Sequence, residues 1–346
     1  MNMRCEGLGL TSAAAVLGDR IPLDAAIRAG HPAVADLDAQ ELASVCRGGR
    51  PPHESAAEAA RLAWARHPER RDDTATALIL ASSSRMGHPL WSAASWLGAQ
   101  TVGHDRLTHC GTVNALCAGS VHALAAAARL LTTEPHMDSA LIVSSDTAEA
   151  MGADRWAFDG GVTLGDGAGA AVLGRQGRDP SAQLGSWALL SVSEGAHAGL
   201  EYLQRGDAEP GRERPAPMRY RELLSQACAR RNVDVAGLKA QHAAMLTSTV
   251  DRALAEAGVD RSRVDRWALP FVGRLALQVG YLEPLGIDEA ASTSVLGRTT
   301  GHLGGADALV ALDHLESAGA SSPGALVVLV GVGGGQTCSV AVLRRV

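Results

Sequence analysis

Hydrophobic positions along this chain gather into short unbroken runs, separated by polar and glycine-rich connections. Thr76–Ala81 (TALILA) and Ser139–Asp146 (SALIVSSD) have strand length and no alternation, the pattern of strands buried on both faces. From Asn114, VNALCAGSVHALAAAARLLTTEP places small and apolar residues at helix spacing and stops near Pro135. LWSAASWLGAQTVG predicts an earlier helix. WAFDGGVTLGDGAGAAVLGR reads as a turn, a glycine-dense bend and a strand.

The second half reuses this grammar. LKAQHAAMLTS fits a strand or a short helix equally, and DRALAEAGVDRSRVDRWALP predicts a helix and then a strand ending near Pro270. GRLALQVGYLEPLGI is helical before its proline and glycine. Residues 304–316 (GGADALVALDHLE) form a second small-residue helix, and ALVVLVGVGGGQTCSVAVL closes the chain as two strands around a glycine bend. GDGAGAAVL at 165–173 and GVGGGQTCSVAVL at 331–343 echo one another, each after a small-residue helix and an apolar strand. The echo predicts duplicated α/β halves, 1–180 and 181–346, with helices covering the sheets. Gln204–Arg221, rich in proline and charge, reads as a linker or insertion.

Composition narrows the partners. A chain of 346 residues has room for two packed units, and 39 glycines against two phenylalanines and three tyrosines imply a core of Ala, Leu and Val. The net charge is -6, and Lys239 is the single lysine, which argues against a nucleic-acid scaffold. The six cysteines (5, 46, 110, 117, 228 and 338) make neither a disulfide framework nor a CxxC site. No signal-peptide core and no uninterrupted membrane-length run is seen, so a cytoplasmic protein without a membrane partner is expected. The glycine motifs lead into strands rather than helices, against a dinucleotide or P-loop site. His104, His109 and Cys110 lack a second ligand pair, so neither a metal nor a permanently bound cofactor is expected.

Four residues suggest chemistry. Cys117 sits where a small-residue helix begins, and the N–H groups of a helix start favour a thiolate; an inert buried cysteine fits the residues equally well. His302 precedes the other small-residue helix with Asp307 five residues on, spaced for a base and its orienting acceptor; ordinary capping is the alternative. His197 is a further candidate, with a loop histidine as plausible. Backbone N–H groups of Cys117 and of a glycine within Gly333–Gly335 could stabilise an oxyanion.

With these residues in view, the sequence resembles the thiolase superfamily, and within it the beta-ketoacyl carrier-protein synthase III branch. NALCAGSVHAL is similar to that branch's nucleophile segment, GDGAGAAVL to its mid-chain glycine motif, and GVGGGQTCSVAVL to its closing oxyanion segment. The resemblance implies an α/β thiolase fold: duplicated βαβαβαββ halves in a five-layer α-β-α-β-α arrangement, as a homodimer. It implies Cys117 as acyl acceptor, Gly335 in the oxyanion hole, and acyl-CoA or a phosphopantetheine-linked acyl thioester as substrate. Two positions depart from the branch. PFVGR stands where condensing members carry a histidine, and His302 stands where they carry an asparagine. GHLGGAD is similar instead to a divergent subgroup of antibiotic and polyketide pathways, in which His302, Asp307 and in some members His197 assist the nucleophile. The expected function is therefore acyl transfer through an acyl-cysteine to an acyl carrier protein or small-molecule acceptor. The alternative is decarboxylative condensation priming a polyketide synthase. Arginines within 206–221 are candidates for contact with phosphopantetheine or an acidic carrier protein.

Overall fold

The computed structural model describes residues 1–30, 40–68, 75–175, 186–197, 217–319, 321–334 and 337–346. The expected boundary at 180/181 and the arginine-rich part of the linker, 204–216, lie outside the described residues.

Ten strands form the main sheet: the short Asn2–Arg4, paired with β6, and β1 (Leu8–Leu17), β2 (Ala75–Ala81), β3 (Leu107–Val113), β4 (Met137–Asp146), β5 (Gly167–Arg175), β6 (Trp187–Ala196), β7 (Arg266–Ala268), β8 (Leu326–Gly333) and β9 (Thr337–Arg345), the nine that make its continuous path. Their order is β7-β8-β9-β6-β1-β5-β4-β2-β3. In the first half, β2 runs parallel to β3 and β4, while β5 is antiparallel to β4 and β1. The second half repeats this: β7 is parallel to β8, and β9 is antiparallel to β8 and β6. Even the counterpart of β3 survives, as a single parallel bridge between Trp267 and Ser292. The duplication is thus written in strand order and direction, and the echoed Ala-Val-Leu triplets fall on the equivalent strands β5 and β9.

Side-chain alternation assigns the layers. On β5, Ala168, Ala170 and Val172 join one core with α1 (Pro52–Arg66) and α2 (Ala93–Thr101), while Ala171 and Leu173 join the central core. On β8, Val327 and Leu329 face the central core, whereas Val328 and Val330 pack against α4 (Val235–Ala257). Between the sheets lie α3 (Gly119–Thr133) and α5 (Asp307–Ser317), the two small-residue helices. The layers therefore run α-β-α-β-α, as the resemblance implies. Alanine dominates the middle layer because both faces of each central helix must approach a sheet, and short side chains allow dense packing there.

Three readings change. The ambiguous LKAQHAAMLTS lies inside α4, a 23-residue helix started by Asp234, whose carboxylate accepts from the N–H of Ala236 at 2.9 Å. The end of the supposed linker is already ordered: Tyr220 opens a helix over Tyr220–Arg231. Leu116–Thr133 is long and apolar enough to cross a membrane by length and composition. It is the central α3 and its preceding turn, and its apolar residues contribute to the core between the sheets.

Candidate active site

Cys117 lies in a 3-10 turn, Leu116–Ala118, that leads directly into α3. Leu116 has φ +51°, a left-handed conformation rare for a bulky residue. Its N–H donates to Asn114 Oδ1 at 3.2 Å, and Ala118 N–H closes the turn on Ala115 O at 3.1 Å. The flat end of β8 forms the floor. A Cβ on Gly333 would stand 2.2 Å from Ala115 O, and one on Gly331 would stand 2.9 Å from Ala118 Cα. Here the alternating glycines of GVGGG let two stretches of main chain touch.

His302 reaches this turn from the other half of the molecule. Its N–H donates to Thr163 O and its carbonyl accepts from Gly165 N–H, both at 2.8 Å. The GDG segment before β5 therefore docks the histidine loop. Asp166 fixes that segment in turn, taking two hydrogen bonds from Arg155 Nη2, at 2.9 and 2.7 Å, and one from the N–H of Gly48 at 2.9 Å.

Three of the four expected side chains meet. His302 Nε2 lies 2.9 Å from Cys117 Sγ, and Nδ1 donates to Asp307 Oδ2 at 2.6 Å. Asp307 also accepts from the N–H groups of Leu303 and Phe271, both at 2.8 Å, so its carboxylate is fixed on three sides. His302 and Asp307 are buried, whereas Cys117 keeps partial exposure. Burial favours the neutral imidazole, but Asp307 and Cys117 outweigh it and hold His302 protonated well above the ordinary histidine range. Such an arrangement can orient a sulfur nucleophile and pass a proton at Nε2.

Other expectations are placed differently. His197 is exposed at the end of β6 and is not in the Cys117–His302–Asp307 chain. Gly335, the expected second oxyanion donor, lies outside the described residues. Cys110 is on β3, with its sulfur 3.1 Å from Ser95 Oγ, on a separate face of the first half. Phe271 occupies the position without histidine and turns its main-chain N–H to Asp307.

The raised His302 value has a consequence for stability. The folded state holds this proton more tightly than the unfolded chain, so the stabilisation is complete below the ordinary histidine pKa of about 6.5 and is lost as pH climbs through the elevated value. The melting temperature of the wild type is expected to fall more steeply above about pH 6.5 than that of His302→Gln. Scanning calorimetry at stepped pH checks this, and parallel slopes would refute it.

Comparison with known proteins agrees with this architecture. Residues 254–345 match the family model of the 3-oxoacyl-[acyl-carrier-protein (ACP)] synthase III C terminal, and residues 112–192 match 3-oxoacyl-[acyl-carrier-protein (ACP)] synthase III. The chain is 30% identical over 271 residues to the beta-ketoacyl-[acyl-carrier-protein] synthase III of Sodalis glossinidius, covering 77% of this chain and 76% of that one. It is 28% identical to the synthase of the same name from Jannaschia sp., over 67% of this chain and 66% of the relative. Among solved structures, the acyltransferase ChlB3 superposes with a TM-score of 0.87 at 29% identity, covering 98% of each chain.

These matches correct the expected function. Both family models and six curated relatives are synthases III, enzymes that join acyl units, and so they overturn simple transfer to an alcohol or thiol acceptor. The exchange of asparagine for His302 carried that expectation, and the structure places this histidine 2.9 Å from Cys117 Sγ. The chain belongs to the beta-ketoacyl-[acyl-carrier-protein] synthase III family of the thiolase superfamily.

Proposed function

We propose that this protein catalyses decarboxylative condensation: an acyl group held on Cys117 is joined to a malonyl unit carried by an acyl carrier protein. The observation that carries the reading is the Cys117–His302–Asp307 chain, set in a synthase III family member. In the first half-reaction Cys117 Sγ attacks the carbonyl of an acyl-CoA or phosphopantetheine-linked thioester. The leaving thiolate takes the proton from His302 Nε2, while Asp307 retains Nδ1–H. In this reading the N–H groups of Cys117 and Gly335 together stabilise the oxyanion.

In the second half-reaction His302 takes a proton from solvent, which the neighbouring carboxylate of Asp307 favours. The imidazolium then donates from Nε2 to the malonyl thioester carbonyl. Carbon dioxide leaves, the enolate carbon attacks the acyl-cysteine carbonyl, and Cys117 departs as thiolate beside the same imidazolium. One charged donor thereby serves where the family resemblance implies a histidine and an asparagine. Hydrogen bonds to a charged donor are roughly twice as strong as neutral ones, which supports this reading.

The test supplies an acyl-CoA and malonyl carrier protein labelled in the free carboxylate. Labelled carbon dioxide and a lengthened beta-ketoacyl carrier protein are expected, and Cys117→Ala should yield neither. An acylated Cys117 that discharges without releasing label would overturn condensation. His197 is exposed, so in this mechanism it has no step, and His197→Ala is expected to retain label release within about two-fold, as surface substitutions ordinarily do.

A further inference from the structure

One carboxylate spans the two halves beneath this site. Asp146 ends β4 and is completely buried. Its Oδ1 accepts from Ser82 Oγ at 3.1 Å, Ser83 N at 2.8 Å, Ser84 N at 2.9 Å and Ser84 Oγ at 2.8 Å. Its Oδ2 accepts from Gly305 N at 3.0 Å. The four bonds to Oδ1 stay within the first half, joining the loops that follow β2 and β4. The bond from Gly305 crosses to the second half, into the turn between His302 and Asp307.

That turn has little freedom of its own. Gly304 adopts φ +63°, and a Cβ there would lie 2.4 Å from Asp146 Oδ2. A Cβ on Gly305 would lie 3.2 Å from Leu116 O and 3.5 Å from Gly119 Cα. Gly305 is thus held between the Asp146 carboxylate and the turn that carries Cys117. Burial pushes the Asp146 carboxyl up, while donors from Gly305, Ser84, Ser83 and Ser82 pull against it. Five donors match an acceptor-only carboxylate; an asparagine would turn its own donor toward one of them.

We propose that Asp146 is a positioning residue, which clamps the Gly304–Gly305 turn against Leu116 and so sets His302 and Asp307 at reacting distance from Cys117. The proposal rests on the reading of Cys117 and His302 as the reacting pair, and not on which acyl acceptor follows. It explains why a costly buried carboxylate stands at the junction of the halves without touching the reacting atoms.

The test follows alkylation of Cys117 by iodoacetamide as a pH profile, with melting temperature measured in parallel. Asp146→Asn keeps an oxygen for the serine donors but opposes the N–H of Gly305 with an amide group. Alkylation near pH 7 is expected to slow about ten-fold or more, since misplacements of the order of 1 Å cost up to 100-fold. Removing a carboxylate charge would not by itself be expected to slow attack by a sulfur nucleophile, so slowing reports position. Asp265→Ala, which removes the acceptor of Leu326 N at the start of β8, is the control for destabilisation alone. A folded Asp146→Asn that alkylates as fast as wild type, or faster, overturns the proposal. Should that variant not fold, Ser84→Ala removes one donor and decides by the same measure: slowing supports the clamp, and an unchanged rate overturns it. If His302→Gln itself alkylates like wild type, the underlying pair is wrong and the proposal falls with it.

Discussion

Cys117→Ala is expected to abolish the acyl adduct, while Asp307→Asn should keep the thiol and still slow acylation by about two to four orders of magnitude, the usual range for general acid–base catalysis. The second variant is the more informative. Asp307 accepts from His302 Nδ1, Leu303 N and Phe271 N, and every one of these neighbours is a donor. An asparagine must present its NH2 group to at least one of them. If it faces His302, the ring turns its proton to Nε2 and opposes Cys117 with a donor at neutral charge, unable to accept the thiol proton. If it faces the main chain, Leu303 or Phe271 loses a buried partner, at a cost of about 1–3 kcal/mol. Single-turnover acylation followed by intact mass, alongside a melting curve, separates these outcomes. A normal acylation rate in the folded variant would mean that His302 does not depend on Asp307 for its proton.

The same residues show where a sequence can and cannot be read. Cys117 and His302 are legible because each stands at the head of a small-residue helix, and such helices mark a crowded centre. Asp146 is not legible: SALIVSSD predicts a strand correctly, but the partners of its last residue are Ser82–Ser84 and Gly305, 159 positions away in the last case. The strand β1, LGLTSAAAVL, escapes the reading for a different reason. It is covered on both sides over most of its length, so it shows no alternation, and its alanines carry no strand preference. In α4 the signals are present yet diluted. Asp234 caps its start and Gly258 ends it with φ +66°, but only a few of its residues are buried, which blurs the apolar period around LKAQHAAMLTS.

The function depends on the same distinction between local and distant information. The exchange of asparagine for His302 is visible in the sequence and suggests a change of reaction. What the exchange does chemically is set by distance and charge: Nε2 at 2.9 Å from the sulfur and an imidazole kept protonated by its surroundings. In the proposed reaction a cationic donor at that point serves both thiol activation and decarboxylation. On the proposed reading, the family's reaction survives the loss of its usual asparagine.

Gly333→Ala should produce the other large effect, and it tests whether the glycine bend acts on chemistry through contact alone. The added methyl would lie 2.2 Å from Ala115 O and 2.6 Å from Thr337 Oγ1. Thr337 can rotate away, but Ala115 O cannot, because it accepts from Ala118 N–H and closes the turn holding Cys117. Relief must come by displacing that turn, with Leu116 already in a left-handed conformation that leaves little backbone slack. Overpacking of this kind costs about 1–3 kcal/mol. A shift of the sulfur by roughly 1 Å relative to His302 would lower acylation by up to about 100-fold. Gly258→Ala provides the contrast: its φ of +66° makes a side chain unfavourable by about 1–2 kcal/mol, but nothing lies within 4 Å of the added methyl. Both variants should melt earlier, and only Gly333→Ala should acylate slowly per folded molecule. Equal acylation in the two would show that the close approach of β8 to Ala115 supports the fold and has no part in placing Cys117.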